Sequence, residues 1–262
     1  MFQSVVRNRS LIYKLTKRDI ESRYKGSAMG TVWAVVNPLI MLCVYSFVFS
    51  VVFQAKWGAL PQGKGVFAVV LFAGLIIFNF LAECIGRGPS VFTGNVNYVK
   101  KVVFPLGCLP ISAALSALFN FFVSFIILLI AELIVFGHIP LSALLFPVFF
   151  LPIFIIGIAL LFILSSLGVY LRDISQAVPI IITFLMFLSP IFYPLSAIPE
   201  AYRPIMAINP LAFLIENTRE LLIMGNVIPL ISFVMLYIIS VCFFAFAFYV
   251  FKKTKKGFAD VI

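Results

Sequence analysis

Charge is scarce in this 262-residue chain: Asp, Glu, Lys and Arg together make up 11% of it, and only nine residues are acidic. A soluble domain carries about 25% charged residues. With 63% of the residues hydrophobic, a water-soluble fold of this length could not hide its apolar surface. That excludes a soluble enzyme, a disordered chain and a nucleic-acid-binding domain. Histidine is limited to His138, which removes His-based metal cages and a Ser–His hydrolase. The four cysteines, Cys43, Cys84, Cys108 and Cys242, have no CxxC spacing and suggest neither a metal site nor a redox pair. GxSxG and HExxH are both absent. Residues 58–64 match the first seven positions of a P-loop. Gly65 stands where Ser or Thr must bind magnesium, and the flanking strand and helix are missing, so the segment reads as a flexible loop.

What the chain does have is long charge-free runs, and a membrane span needs about 20 apolar residues. They place spans at about 31–53, 66–84, 111–135, 142–169, 174–195 and 228–251. Pro179, Pro190 and Pro194 bend or end the fifth. The basic start through Lys25 is too long for the n-region of a cleavable signal. With the N-terminus cytoplasmic, fifteen Lys and Arg fall inside and four, Lys56, Lys64, Arg203 and Arg219, outside. Both termini are therefore expected in the cytoplasm. The net charge of +10 reports this orientation rather than a nucleic-acid partner.

Three segments are not spans. Residues 1–30 carry a basic, imperfectly amphipathic stretch that fits a helix on the inner surface. The loop 87–104 is longer than a turn requires. Residues 196–225 hold a short helix announced by Asn209 as N-cap and Pro210 in the first turn, with Glu216, Arg219 and Glu220 at its polar positions and Gly225 closing it. It is too short and charged to span, and is expected to dip in from the outer face or lie along it. The fold expected is thus all-α: one polytopic membrane domain over 1–262, with six transmembrane helices, an interface helix and a re-entrant outer hairpin between spans 5 and 6.

Polar groups at membrane depth are few. Glu83 and Arg87 form an i,i+4 pair. Glu132 reads either as functional or as a side chain reaching the outer headgroups. Asn79 and Asn120 read as interhelical hydrogen-bond partners. Gly26 and Gly30, with GxxxG spacing at the entry to span 1, read as a close-packing pair. Tyrosine offers an apolar face and a hydroxyl, which suits a wet lumen. Tyr45, Tyr193 and Tyr202 are the leading choices for a substrate pathway, with an interfacial aromatic belt as the alternative. A secondary transporter would want paired midplane carboxylates and an inverted repeat, and neither is visible. A membrane-embedded transferase would want clustered catalytic acids, also absent.

Several stretches together resemble one family. They are Lys17 through Ser27 (KRDIESRYKGS), Gly30-Thr31-Val32-Trp33, Asn37-Pro38-Leu39, and Asn209-Pro210-Leu211 through Arg219 to Gly225. The chain resembles, over essentially its whole length, the permease subunit of ABC-2 exporters for O-antigen and related surface polysaccharides (the Wzm type). Capsule and teichoic-acid permeases are near neighbours. The resemblance implies a homodimeric channel in the bacterial inner membrane and two copies of a separate ATPase subunit. ATP and magnesium would be used by that partner, with no cofactor bound by this chain and no enzyme activity of its own. A lipid-linked polysaccharide would be the cargo. Lys17, Arg18, Asp19, Arg23, Tyr24 and Lys25, with Arg87, Tyr98, Lys100 and Lys101 of the 87–104 coupling loop, would face the ATPase. Asn209, Pro210, Glu216, Arg219 and Glu220 would belong to a periplasmic gate.

Overall fold

The fold is built around one helix whose first half, residues 66–78, is apolar on every side. A computed structural model describes residues 7–53, 57, 65–100, 104–203, 206 and 209–261. Lys56, Lys64 and Lys101, and most of the P-loop-like segment, lie outside the described residues. Among those described, the chain is helical with no strand. The central helix, α3 (Val66–Arg87), has most of its surface buried. A helix with no polar face is stable only when neighbours or lipid surround it. Here the long helices α6 (Cys108–Phe136) and α7 (Phe146–Tyr170), the shorter α8 (Ile174–Leu188) and the short α9 (Pro210–Arg219) pack against it. Interhelical Phe stacking, with Phe121 and Phe150 centroids 3.9 Å apart, accounts for much of the aromatic content as packing.

Five helical segments are long and apolar enough to cross a membrane: Gly30–Val52, Val66–Arg87, Cys108–Phe136, Leu141–Tyr170 and Leu230–Val261. Each contains a charge-free run, but the helices continue past Glu83, Glu132 and, in the last segment, the lysines at 252–256 where span 6 was expected to stop. The first contains α2 (Trp33–Tyr45) and a wide π turn, Ser46–Val52. The last contains α10 (Leu230–Thr254) and ends in the one-turn helix α11 (Phe258–Val261). The interface segment forms α1 (Arg9–Tyr24) and packs on α6. Two four-residue helices, α4 (Ser90–Thr93) and α5 (Val96–Val99), occupy the loop after α3.

Three expectations are corrected. The fifth apolar run is helical only from Ile174 to Leu188, not to 195. Fifteen residues rise about 22 Å, less than the roughly 30 Å hydrocarbon core. The cause is local: Ser189 precedes Pro190 and is extended (ψ 148°), as a residue before proline prefers. Gly26 and Gly30 are not a packing pair, since a Cβ at either would meet nothing within 4 Å. Their φ values of +89° and +53° show turn glycines between α1 and the first span. Glu132 does not reach a surface. It is 1% exposed, and its Oε2 has no hydrogen-bond partner among the described residues.

Candidate functional site

At the Arg87 end of α3 the charges of two distant segments meet. The Arg23 guanidinium donates to Glu83 Oε1, and the Arg87 guanidinium to Asp19 Oδ2. Arg87 Nη1 also lies 3.6 Å from Glu83 Oε1, and Asn120 Nδ2 of α6 donates to Glu83 Oε2 at 2.9 Å. Glu83 thus joins α1, α3 and α6. These side chains are half-buried, which spares the network part of the screening that makes exposed pairs weak. Next to Asp19 in the chain, Arg18 Nη1 donates to the Tyr98 hydroxyl at 2.8 Å and Nη2 to Asn95 Oδ1 at 3.3 Å. Helix α1 is therefore tied both to the core and to the loop after α3.

That loop is itself seated on the bundle. A Cβ at Gly168 of α7 would lie 2.6 Å from Pro89 Cα, and one at Gly88 would collide with Leu164 Cβ. Glycine permits this backbone approach. Phe92, fully buried, packs on Phe258 at 4.9 Å and Phe251 at 6.0 Å, which couples the loop to the C-terminal helices. The outward side keeps Ser90, Thr93, Asn97 and Lys100 exposed. Of the residues expected at an ATPase interface, Arg18, Asp19, Arg23, Arg87 and Tyr98 are engaged within the chain. Lys17 makes an exposed 3.8 Å pair with Glu21, Lys25 is exposed, and Tyr24 is half-buried.

The opposite end of α3 carries a second cluster. Asn209 Oδ1 accepts from Leu211 N at 2.9 Å, which makes it the N-cap of α9 with Pro210 behind it. Its Nδ2 donates to Leu188 O and Ser189 Oγ, both at 3.1 Å, and so also satisfies the frayed end of α8. Among the described residues, Arg219 is the largest fully buried side chain. Its Nε donates to Val70 O (3.0 Å), Nη1 to Pro190 O (2.6 Å) and Glu216 Oε1 (2.7 Å), and Nη2 to Ile191 O (2.9 Å). The Trp57 ring centroid lies 4.3 Å from its guanidinium carbon. Burial pulls Arg219 down from the ordinary arginine value, against the opposing Glu216 charge. Burial likewise pushes Glu216 up, against Arg219. Gly74 makes room for the clamp, since a Cβ there would lie 2.8 Å from Arg219 Nη2. A wide turn, Glu220–Met224, follows and stops at Gly225 (φ +77°). Glu220 accepts from Asn226 Nδ2 at 2.7 Å.

The three tyrosines are not brought to one place. Tyr45 is half-buried, 6.5 Å from both Phe49 and Phe192. Tyr193 donates its hydroxyl to Phe187 O at 2.9 Å, and Tyr202 stands exposed.

A family model described as ABC-2 type transporter matches residues 10–223. The chain belongs to the ABC-2 type transporter family. Both clusters lie within the matched region of this ABC-2 chain. It is 29% identical over 256 residues to the O-antigen export system permease protein RfbA of Klebsiella pneumoniae, covering 96% of this chain and 95% of that one. The protein of the same name from Myxococcus xanthus is 29% identical over 257 residues, 97% and 96% of the two chains. The polysialic acid transport protein KpsM of Escherichia coli is 26% identical over 220 residues, 80% of each. Sequence reasoning missed Asn95 and Trp57 as partners in this ABC-2 chain, because residues so far from Arg18 and Arg219 in sequence have no spacing signature.

Proposed function

We propose that this chain is the membrane subunit of an exporter that moves a lipid-linked O-antigen or related surface polysaccharide outward across the bacterial inner membrane. The observation that carries the proposal is similarity along nearly the whole chain to permeases named for O-antigen export. The resemblance to KpsM makes a capsule-type glycan the neighbouring reading of the cargo. A separate ATPase supplies the energy. In this reading Ile174–Leu188 and the irregular stretch after it complete a sixth crossing, and 196–225 forms the re-entrant gate. The Arg219 clamp supports this, because irregular backbone at membrane depth must have its carbonyls satisfied by protein. Both termini are cytoplasmic, by the Lys and Arg asymmetry.

The network of Asp19, Arg23, Glu83 and Arg87 then acts as a rigid seat. It holds α1 and the loop 87–104 as one body, so that a push from two ATPase copies on the exposed Lys25, Lys100 and Thr93 side reaches α3 directly. Two copies of the chain enclose the pathway. The unburied apolar faces of α2 and α8, including Val35, Leu39, Phe184 and Phe187, are available to lipid or to that second copy. Deletion of the gene tests the proposal. Surface polysaccharide should vanish while lipid-linked glycan accumulates inside, and the wild-type chain should restore export. Unchanged surface polysaccharide in the deletion strain would contradict it.

A further inference from the structure

Helix α3 is buried along almost its whole length, yet Asn79 in its middle is exposed. It opens onto a cleft of about 370 Å³ between α2, α3 and α6, bordered also by Asn37, Trp33 and Tyr45. That volume falls within the range of small-molecule sites, about 300–1,000 Å³. The cleft begins at Arg23 and Tyr24 and runs along α3 past Asn79 to Leu75 and Phe72. Among the described residues, the side-chain amides of Asn37 and Asn79 and the Tyr45 hydroxyl make no hydrogen bond. Unpaired amides at membrane depth are costly unless something polar occupies the space they face.

The chemistry of the lining narrows the occupant. Arg23, the cation at the rim, is committed to Glu83, and the Trp33 indole N–H donates to Ser27 Oγ at 2.9 Å, so the cleft offers the two neutral amides, the Tyr45 phenol and the Trp33 ring face. Lipid tails would leave the amides unpaired. A phosphate would find its cation already paired. A sugar ring offers hydroxyls to the amides and an apolar C–H face to the rings. We propose that this cleft is a subsite for one hydroxyl-rich sugar unit of the exported glycan, held by Asn37 and Asn79 and stacked on Trp33 and Tyr45. The proposal rests on the export reading and adds a location and a lining to it. Affinity at such a site must be weak, since a moving polymer has to leave it.

Met41 lines the cleft and is exposed, so a cysteine there reports occupancy. Cys84 and Cys108 are buried, and only Cys43 and Cys242 are exposed. The test uses the exporter with its ATPase, carrying Cys43→Ser, Cys242→Ser and Met41→Cys, and measures the rate of labelling by a small neutral maleimide. The probe is the oligosaccharide mixture released by mild acid from the host's own surface polysaccharide. Labelling should slow saturably with oligosaccharide and not with sodium pyrophosphate. Asn79→Leu should raise the half-protecting concentration about five- to tenfold, the scale of one lost hydrogen bond, and Asn79→Gln should raise it less. Asn37→Leu gives the same readout from α2 if Asn79→Leu does not assemble. Absence of slowing, equal slowing by pyrophosphate, or unchanged protection in both leucine variants would overturn the subsite. If the unmutated chain restores surface polysaccharide in a deletion strain while no slowing occurs, only the subsite fails. If it restores none, the export reading fails.

Discussion

Replacing Arg219 with methionine keeps most of the volume and removes the clamp. Four hydrogen bonds go, to Val70 O, Pro190 O, Ile191 O and Glu216 Oε1, together with the stacking on Trp57. Hydrogen bonds to a charged group contribute about 1.5–3 kcal/mol each, but bonds sharing one side chain do not add. The better guide is the cost of removing one partner of a buried ion pair, about 3–5 kcal/mol. That cost falls on the docking of α9 and the end of α8 against α3. At about 1.4 kcal/mol per factor of ten, amide hydrogen exchange in residues 211–222 should quicken by about a hundred- to a few-thousand-fold. Exchange in the middle of α3 should change far less, because its own burial does not depend on Arg219. Arg219→Lys should fall between, since an ammonium lacks the planar fork that reaches three carbonyls and a carboxylate together. Adding Glu216→Gln to Arg219→Met should recover part of the loss, because the orphaned carboxylate is then gone. Exchange in 211–222 changing by less than about threefold in a folded Arg219→Met protein would refute the clamp.

Other outcomes follow from the same geometry. Gly168→Ala forces a Cβ against Pro89 backbone; overpacking of this kind costs about 1–3 kcal/mol, and ATPase pull-down by the purified exporter should weaken as the loop 87–104 shifts. Glu83→Gln removes the charge that Arg23 and Arg87 share and turns one of the two acceptor oxygens, which also serve Asn120, into a donor, so export should fall more than membrane insertion does. Equal loss of both would make the network merely structural. Cysteines at positions 100 and 253 should resist an impermeant thiol reagent in intact cells, and those at 56 and 64 should react. Labelling at 100 from outside would overturn the topology. Alanine at Tyr45, Tyr193 and Tyr202 together should lower export with assembly intact, and normal export would move the pathway elsewhere.

The helices were legible because lipid imposes a length rule: Val66–Arg87 and Cys108–Phe136 each contain a long charge-free run. Asn209-Pro210 was legible as a cap because capping is local. Arg219 was not legible as a core residue. Its helical position assigned it to a polar face, and only the meeting of α9 with the end of α8 and with Gly74 turns that face inward. Glu83 shows the same limit. The i,i+4 rule finds Arg87, but nothing in the spacing connects position 83 with Asp19, Arg23 or Asn120. Gly26 and Gly30 were misread because GxxxG spacing does not distinguish a packing face from two turn residues, which differ in φ rather than in sequence. The span 5 prolines were visible and Pro190 accounts for the stop at Leu188, but nothing local shows that Asn209 and Arg219 receive the carbonyls of Leu188, Pro190 and Ile191.

The central claim is that this chain is a pathway powered by a separate ATPase. Its most direct test is reconstitution into liposomes loaded from one side with lipid-linked glycan, with the chain alone, the ATPase alone, or both. The account predicts ATP-dependent appearance of glycan on the opposite side only when both are present, and no ATP hydrolysis by the chain alone. Translocation by the chain alone under an ion gradient, or none with both proteins and ATP, would contradict it.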